Sequence, residues 1–221
     1  MTGWPRVVVL SAPSGGGKTT IAKAVRERHP ERFGFSISAT TRRPRPGERH
    51  GIDYHFWDRD RFRAEIVAGK FLEHAEYAGE LYGTLRAEVD RIRAQGRHVL
   101  LDIEVDGAAQ VRTLEPDAVT VFILPSEPRV LLERLTRRQS ESAAEVERRL
   151  ERATYELSQA MHFHRLIRND DLETAVRDVV EAVEDGETVR RSIGSSPDLA
   201  WINNYVSALQ QERARMHAQK G

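Results

Sequence analysis

Cysteine is absent from the 221 residues, which excludes disulfides, thiolate metal sites and cysteine nucleophiles. Neither sign of charge is in excess, because Lys+Arg and Asp+Glu both number 34, so no global field draws the chain to nucleic acid or an anionic membrane. No run approaches the roughly 20 apolar residues that span a bilayer. The amino end, "MTGWPRVVVLSAPSG", has neither a basic n-region nor an apolar stretch of signal-peptide length, and a cytoplasmic protein is expected. Lysine is scarce too: Lys18, Lys23, Lys70 and Lys220 are the only four, and arginine supplies the rest of the positive charge.

What is present is a globular composition, 39% hydrophobic and 31% charged, in a chain long enough for one domain with a small inserted subdomain. "RVVVLS" is a β-branched run suited to a strand buried on both faces. "HVLLDIEV", "AVTVFILP" and "HRLIRN" predict further strands. Amphipathic helices alternate with them. Leu150, Thr154, Leu157 and Met161 predict one helical face, and Leu172, Val176, Val179, Val180 and Val183 another. This alternation implies a parallel α/β sheet with helices on both faces. From Ala39 to Leu85 arginine, proline, glycine and aromatics mix in short segments, which reads as an inserted lobe. A tail from Ser195 adds a helix capped by Ser196, with Pro197 in its first turn and a stripe of Leu199, Ile202, Val206 and Leu209. Such a stripe covers a core or meets a partner.

Between the first strand and its helix stands "SAPSGGGKTT". Strand, glycine loop and helix in that order are the context of a phosphate-binding loop. Residues Ala12, Pro13, Ser14, Gly15, Gly16, Gly17, Lys18, Thr19 and Thr20 make up the ATP-binding candidate. Glycines let successive N–H groups converge on phosphate oxygens, Lys18 adds a point charge, and the Thr19 hydroxyl suits Mg²⁺. Ala12 occupies the position where the pattern has glycine, and alanine fits there if its φ stays negative. Asp102, at the end of "HVLLD", is expected to complete the metal site with Thr19, partly through water. By the period of two, Asp102, Glu104 and Asp106 are expected on one strand face. His162 and His164 alternate in "MHFH" but lack further ligands at matched spacing, and read as surface or packing residues.

The stretch "SATTRRPRPGERHGIDYHF" gathers Arg42, Arg43 and Arg45 near Tyr54, and guanidinium forks match the oxygens of a phosphate. At these residues the chain resembles the guanylate kinases. "KFLEHAEYAGELYGT", "LLDIEVDGA" and "IRNDDLETA" extend the likeness from about Arg6 to Ile193. The resemblance implies a P-loop NTPase-type three-layer sandwich: a core at 1–38 and 86–194, a GMP-binding lobe at 39–85, a helical lid at about 136–157, and a C-terminal extension at 195–221. It implies ATP and GMP as substrates and Mg²⁺ with ATP, with no nucleic-acid or membrane partner; the sequence does not specify an oligomeric state. Arg42, Arg45, Tyr54 and Tyr82 are similar to the family's acceptor-phosphate ligands, and Ser38, Glu73 and Thr84 match positions that read guanine. Asp102 and Glu104 join the GMP side, although Glu104 and Asp106 stand where the family usually has a shorter aspartate and a residue such as glutamine. Arg134, Arg138 and Arg149 resemble lid arginines that close over the transferring phosphate, Arg137 being an equal neighbour of Arg138. Lys18, Arg42, Arg138 and Arg149 form the catalytic set. Asn169 is similar to an adenine-side asparagine or caps the helix before Leu172. A carboxylate such as Glu73 can accept from guanine N1–H and the N2 amine together, and adenine offers no such pair. The alternatives are a non-catalytic interaction domain of the same fold and a P-loop kinase with another phosphorylated acceptor.

Overall fold

Every residue of the first strand, β1 (Val7–Ser11), is buried, as a β-branched run covered on both faces must be. The computed structural model describes residues 5–136, 143–185 and 187–218. After β1 come α1 (Lys18–Arg28), β2 (Phe33–Phe35), β3 (Ala39–Thr40), β4 (His55–Phe56), α2 (Arg59–Val67), β5 (Phe71–Tyr77) and β6 (Glu80–Leu85). Then follow α3 (Arg86–Arg93), β7 (His98–Asp102), α4 (Val105–Leu114), β8 (Val119–Leu124), α5 (Pro128–Thr136), α6 (Ala143–Gln159), β9 (Arg165–Arg168), α7 (Leu172–Glu184) and α8 (Asp198–Ala218). Five strands pair in the order β2-β7-β1-β8-β9, with β2–β7 and β8–β9 parallel, which is the α/β arrangement expected. No helix among the described residues is long and apolar enough to cross a membrane.

The chain divides into two compact units, Met1–Val9 with Arg26–Ala118, and Leu10–Val25 with Val119–Gly221. The first contains a second sheet, in the order β4-β3-β6-β5, whose strands all lie between Ala39 and Leu85. That sheet has its own small core of Ala39, Phe62 and Phe71, with Trp57, Ile66, Leu81 and Leu85 packed on it. The rings of Phe62 and Phe71 stack at 4.5 Å. Asp58 caps α2 by accepting from the Arg61 amide at 2.7 Å. The β5–β6 hairpin turns through Ala78 (φ 52°) and Gly79 (φ 80°), both left-handed as a two-residue hairpin turn requires.

In the second unit β8 is wholly buried and α7 turns Ala175, Val176, Val179, Val180, Ala182 and Val183 inward. Leu172, expected on that face, is the first helical residue and is exposed. On α6 the buried apolar residues among those described are Val146, Leu150, Ala153 and Leu157, with Glu156 buried beside them, whereas Met161 lies in a 3-10 turn beyond the helix end and is exposed. Helix α8 packs against α5 and α6. Its buried line is Ile202, Tyr205 and Leu209, so a tyrosine holds the middle of the stripe, and Leu199 and Val206 are only half-buried.

Candidate active site

Alanine fits position 12 of the glycine loop. Gly15 (φ 81°) and Gly17 (φ 95°) adopt left-handed backbone, while Ala12 keeps an ordinary φ and is 2% exposed. Gly16 is required by space: a Cβ there would lie 2.7 Å from the Ala12 Cβ and 2.8 Å from the Pro13 carbonyl oxygen. The Gly16 amide donates to that same carbonyl at 2.8 Å, which closes the turn. Ser14 precedes the glycines, Lys18 opens α1 half-buried, and Thr19 and Thr20 follow exposed in the first helical turn. N–H groups at a helix start favour anions.

Two side chains from later in the chain hold the loop's outward carbonyls. Arg134 Nη1 donates to Gly15 O at 2.9 Å, and Asn169 Nδ2 donates to Gly16 O. The cap of α7 is Asp171, which accepts from the Thr174 amide at 2.7 Å, so the capping alternative for Asn169 is overturned. Asn169 Oδ1 is buried without a hydrogen-bond partner, an acceptor suited to an amine donor. Arg149 lies on α6 and donates to the carbonyls of Leu135 at 2.7 Å and Arg134 at 3.3 Å, the last turn of α5. Arg137 and Arg138 lie outside the described residues. His162 is exposed, and His164 accepts the Thr120 amide through Nδ1 at 3.2 Å, in keeping with surface and packing roles.

Within the first unit the acceptor candidates form two groups. Arg42 donates through both terminal nitrogens to Glu48, and its guanidinium lies 5.3 Å from the ring centre of Tyr54. Tyr54 and Tyr82 meet edge to face at 6.2 Å. Glu48 also accepts from the Arg45 amide at 2.7 Å and so ties the arginine turn together, leaving the Arg45 side chain exposed. The hydrogen bond from Arg42 is the main cause that holds the Glu48 carboxyl below its ordinary value, and the same bond raises Arg42. Glu48 was no candidate, although an acid three residues after Arg45 was a visible signal.

The second group is Glu73 and Thr84, cross-strand partners on β5 and β6. Glu73 is 4% exposed, Thr84 is fully buried, and the Thr84 hydroxyl donates to Glu73 Oε1 at 2.6 Å. Ser38, half-buried just before β3, accepts the His55 amide through its carbonyl at 2.9 Å.

One expectation fails. Strand β7 ends at Asp102, Glu104 is the extended residue that precedes α4 (φ −78°, ψ 166°), and Asp106 sits in the first turn of that helix. The period of two therefore stops at Asp102, and no strand face carries all three acids. Carboxylates are favoured at a helix start, which suits Glu104 and Asp106 to the opening of α4.

Comparison with known proteins now adds to this geometry. The family model for guanylate kinase matches residues 4–186. The chain belongs to the guanylate kinase family. It is 47% identical over 178 residues to a guanylate kinase of Synechococcus sp., covering 80% of this chain and 97% of the relative. A guanylate kinase of Frankia casuarinae is 48% identical over 174 residues, 79% of this chain and 94% of its own. The crystal structure of guanylate kinase from Anaplasma phagocytophilum superposes with a TM-score of 0.67 at 28% identity, covering 86% of this chain and 90% of that one. The fold is accordingly the P-loop NTPase-type α/β fold of the guanylate kinases. The matched region stops before α8.

Proposed function

We propose that this chain transfers the γ-phosphoryl group of ATP directly and in line to GMP, and to dGMP, giving ADP and GDP or dGDP. The observation that carries the reading is the buried Glu73 carboxylate with Thr84 on one oxygen, in a chain of this family. Guanine offers N1–H and the N2 amine to such an acid. Adenine offers it no such donor pair, and sites built to hydrogen-bond a substrate donor reject analogues lacking it by about 10⁴-fold or more. Ser38, Asp102 and Glu104 join Glu73 and Thr84 on the base side. Arg42, Arg45, Tyr54 and Tyr82 take the GMP phosphate, within a lobe we bound at 39–85.

On the donor side the loop from Ala12 to Thr20 holds the ATP phosphates, with Arg134 and Asn169 toward the adenosine. Thr19 and, through water, Asp102 would hold Mg²⁺; the oxygen donors they offer are the kind that ion takes, and when bound it offsets the charge of the phosphate oxygens. A phosphate monoester has its second pKa near about 6, so the acceptor is already anionic at neutral pH and no general base is needed. The work of Lys18, Arg42, Arg138 and Arg149 is to offset charge and fix geometry. The lid containing these last two arginines spans about 136–157, and closure would exclude water. The lack of cysteine accords with a reducing compartment, the cytoplasm.

A coupled assay of ADP release with Mg-ATP and GMP, dGMP, IMP or AMP tests the reading. Turnover with GMP and dGMP, weaker turnover with IMP and none with AMP is expected. A folded enzyme that leaves GMP unphosphorylated would overturn it.

A further inference from the structure

The carboxylate of Glu73 is confined from two directions. Thr84 fixes Oε1 at 2.6 Å, and Gly107, in the first turn of α4, lies against the other oxygen. A Cβ placed on Gly107 would fall well inside contact distance of Glu73 Oε2 and 3.0 Å from its carboxyl carbon. Gly107 is helical with no positive φ, so backbone conformation does not call for glycine there. Glycine in a helix costs about 0.5–1 kcal/mol relative to alanine. What the missing side chain provides is room for the carboxylate.

Three residues on, and so on the same helical face, Gln110 fastens α4 to the strand that carries Glu73. Its Nε2 donates to His74 O at 2.7 Å, and its Oε1 accepts from His74 N at 3.2 Å. Strand β5 is an edge of its sheet, and the glutamine amide supplies the two-point pairing a neighbouring strand would give. The residue so pinned directly follows Glu73. Helix α4 is therefore held where it cannot back away from a larger residue at 107.

We propose that Gly107 and Gln110 are positioning residues that set base specificity by fixing where the Glu73 carboxylate lies, an inference that rests on GMP being the acceptor. Carbon–oxygen contacts settle near 3.3 Å or more, so a methyl group at 107 displaces the carboxylate by roughly 1 Å. A carboxylate that must meet N1–H and N2–H edge-on loses both bonds with such a shift, and misplacements of that size cost on the order of 10²-fold.

The test is Gly107→Ala, assayed for KM and kcat with GMP and IMP, for KM of ATP, and for thermal midpoint. The expected result is a GMP KM raised by about 10-fold or more, a GMP-over-IMP preference that shrinks, and an unchanged ATP KM. A merely structural glycine predicts the opposite, a midpoint equal or higher from the better helix former with unaltered base preference, and that result overturns the proposal. In a Glu73→Gln background the effect of Gly107→Ala should largely vanish, whereas full additivity of the two changes also overturns it. Should Gly107→Ala not fold, Gln110→Ala decides: a raised GMP KM with unchanged ATP KM supports the proposal, and unchanged KM for both overturns it. Wild-type enzyme inactive on GMP would defeat the acceptor reading itself, an outcome separate from a normal Gly107→Ala enzyme.

Discussion

Arg42 meets Glu48 through both terminal nitrogens, each N···O contact at 2.9 Å, so the fork assigned to a phosphate is engaged by a carboxylate in the structure. A two-point pair of this kind orients the guanidinium in advance. Because the bond from Arg42 holds the Glu48 carboxyl below its ordinary value, its contribution to stability is full above the usual glutamate range and is lost as pH falls through the lowered value. An NMR titration of the Glu48 side-chain carbon should give a midpoint below that of a free glutamate, and Arg42→Met should move it upward, toward the ordinary one. A wild-type midpoint at or above the free value would contradict the pairing.

If the lysine charge serves the donor phosphates, as proposed, Lys18→Met should abolish turnover while leaving GMP affinity within about twofold. Calorimetry with GMP alone separates the two effects. Substantial residual turnover would remove Lys18 from the catalytic set.

Arg45→Ala should raise the GMP KM by about 10-fold or more and leave the ATP KM near its starting value, as expected for one lost charge-assisted contact of roughly 1.5–3 kcal/mol. Normal GMP kinetics in that variant would dismiss Arg45 as an acceptor ligand.

Ala78 holds a left-handed φ of 52° at an exposed hairpin tip, where a non-glycine residue costs about 1 kcal/mol. Ala78→Asn creates the Asn-Gly pair that such turns favour. Differential scanning calorimetry should show a thermal midpoint higher by about 2 °C with activity unaltered, and a lower midpoint would count against the turn geometry.

Tyr205 donates its hydroxyl to the Pro125 carbonyl, and burial pushes the phenol well above its ordinary value. Tyr205→Phe leaves that carbonyl without its donor and should cost about 1–3 kcal/mol. The wild-type protein should also lose stability as pH climbs above the ordinary phenol range, because only the unfolded chain then ionises. Urea melts of both proteins at pH 8 and above 10 should show the difference between them narrowing at high pH. A constant difference would mean that the hydroxyl does not carry the effect.

How much of this was legible in the sequence depends on how far apart the partners are. The shape of the glycine loop could be read because its glycines lie within one local turn that opens α1. The end of β7 could not, since the acids of "LLDIEVDGA" keep the alternate spacing of a strand face through Asp106, and nothing in that spacing marks the change to a helix start after Asp102. In "NDDLE" three adjacent residues compete to cap α7, and only packing selects Asp171 while Asn169 turns to Gly16. The bond between Gln110 and His74 joins residues 36 positions apart, and no periodicity records it. Tyr205 went unread because a stripe drawn through Leu199, Ile202, Val206 and Leu209 steps over it.

Likeness to relatives and burial draw different boundaries on this molecule. The match to the family model ends at residue 186, yet Ile202, Tyr205 and Leu209 are buried on a helix that packs against α5 and α6, which themselves lie inside that match. A polypeptide trimmed at the last recognisable position would strip the cover from those two helices, and with it the footing of Arg134 and Arg149. Any carboxyl-terminal fusion, tag or truncation must therefore be placed beyond Leu209.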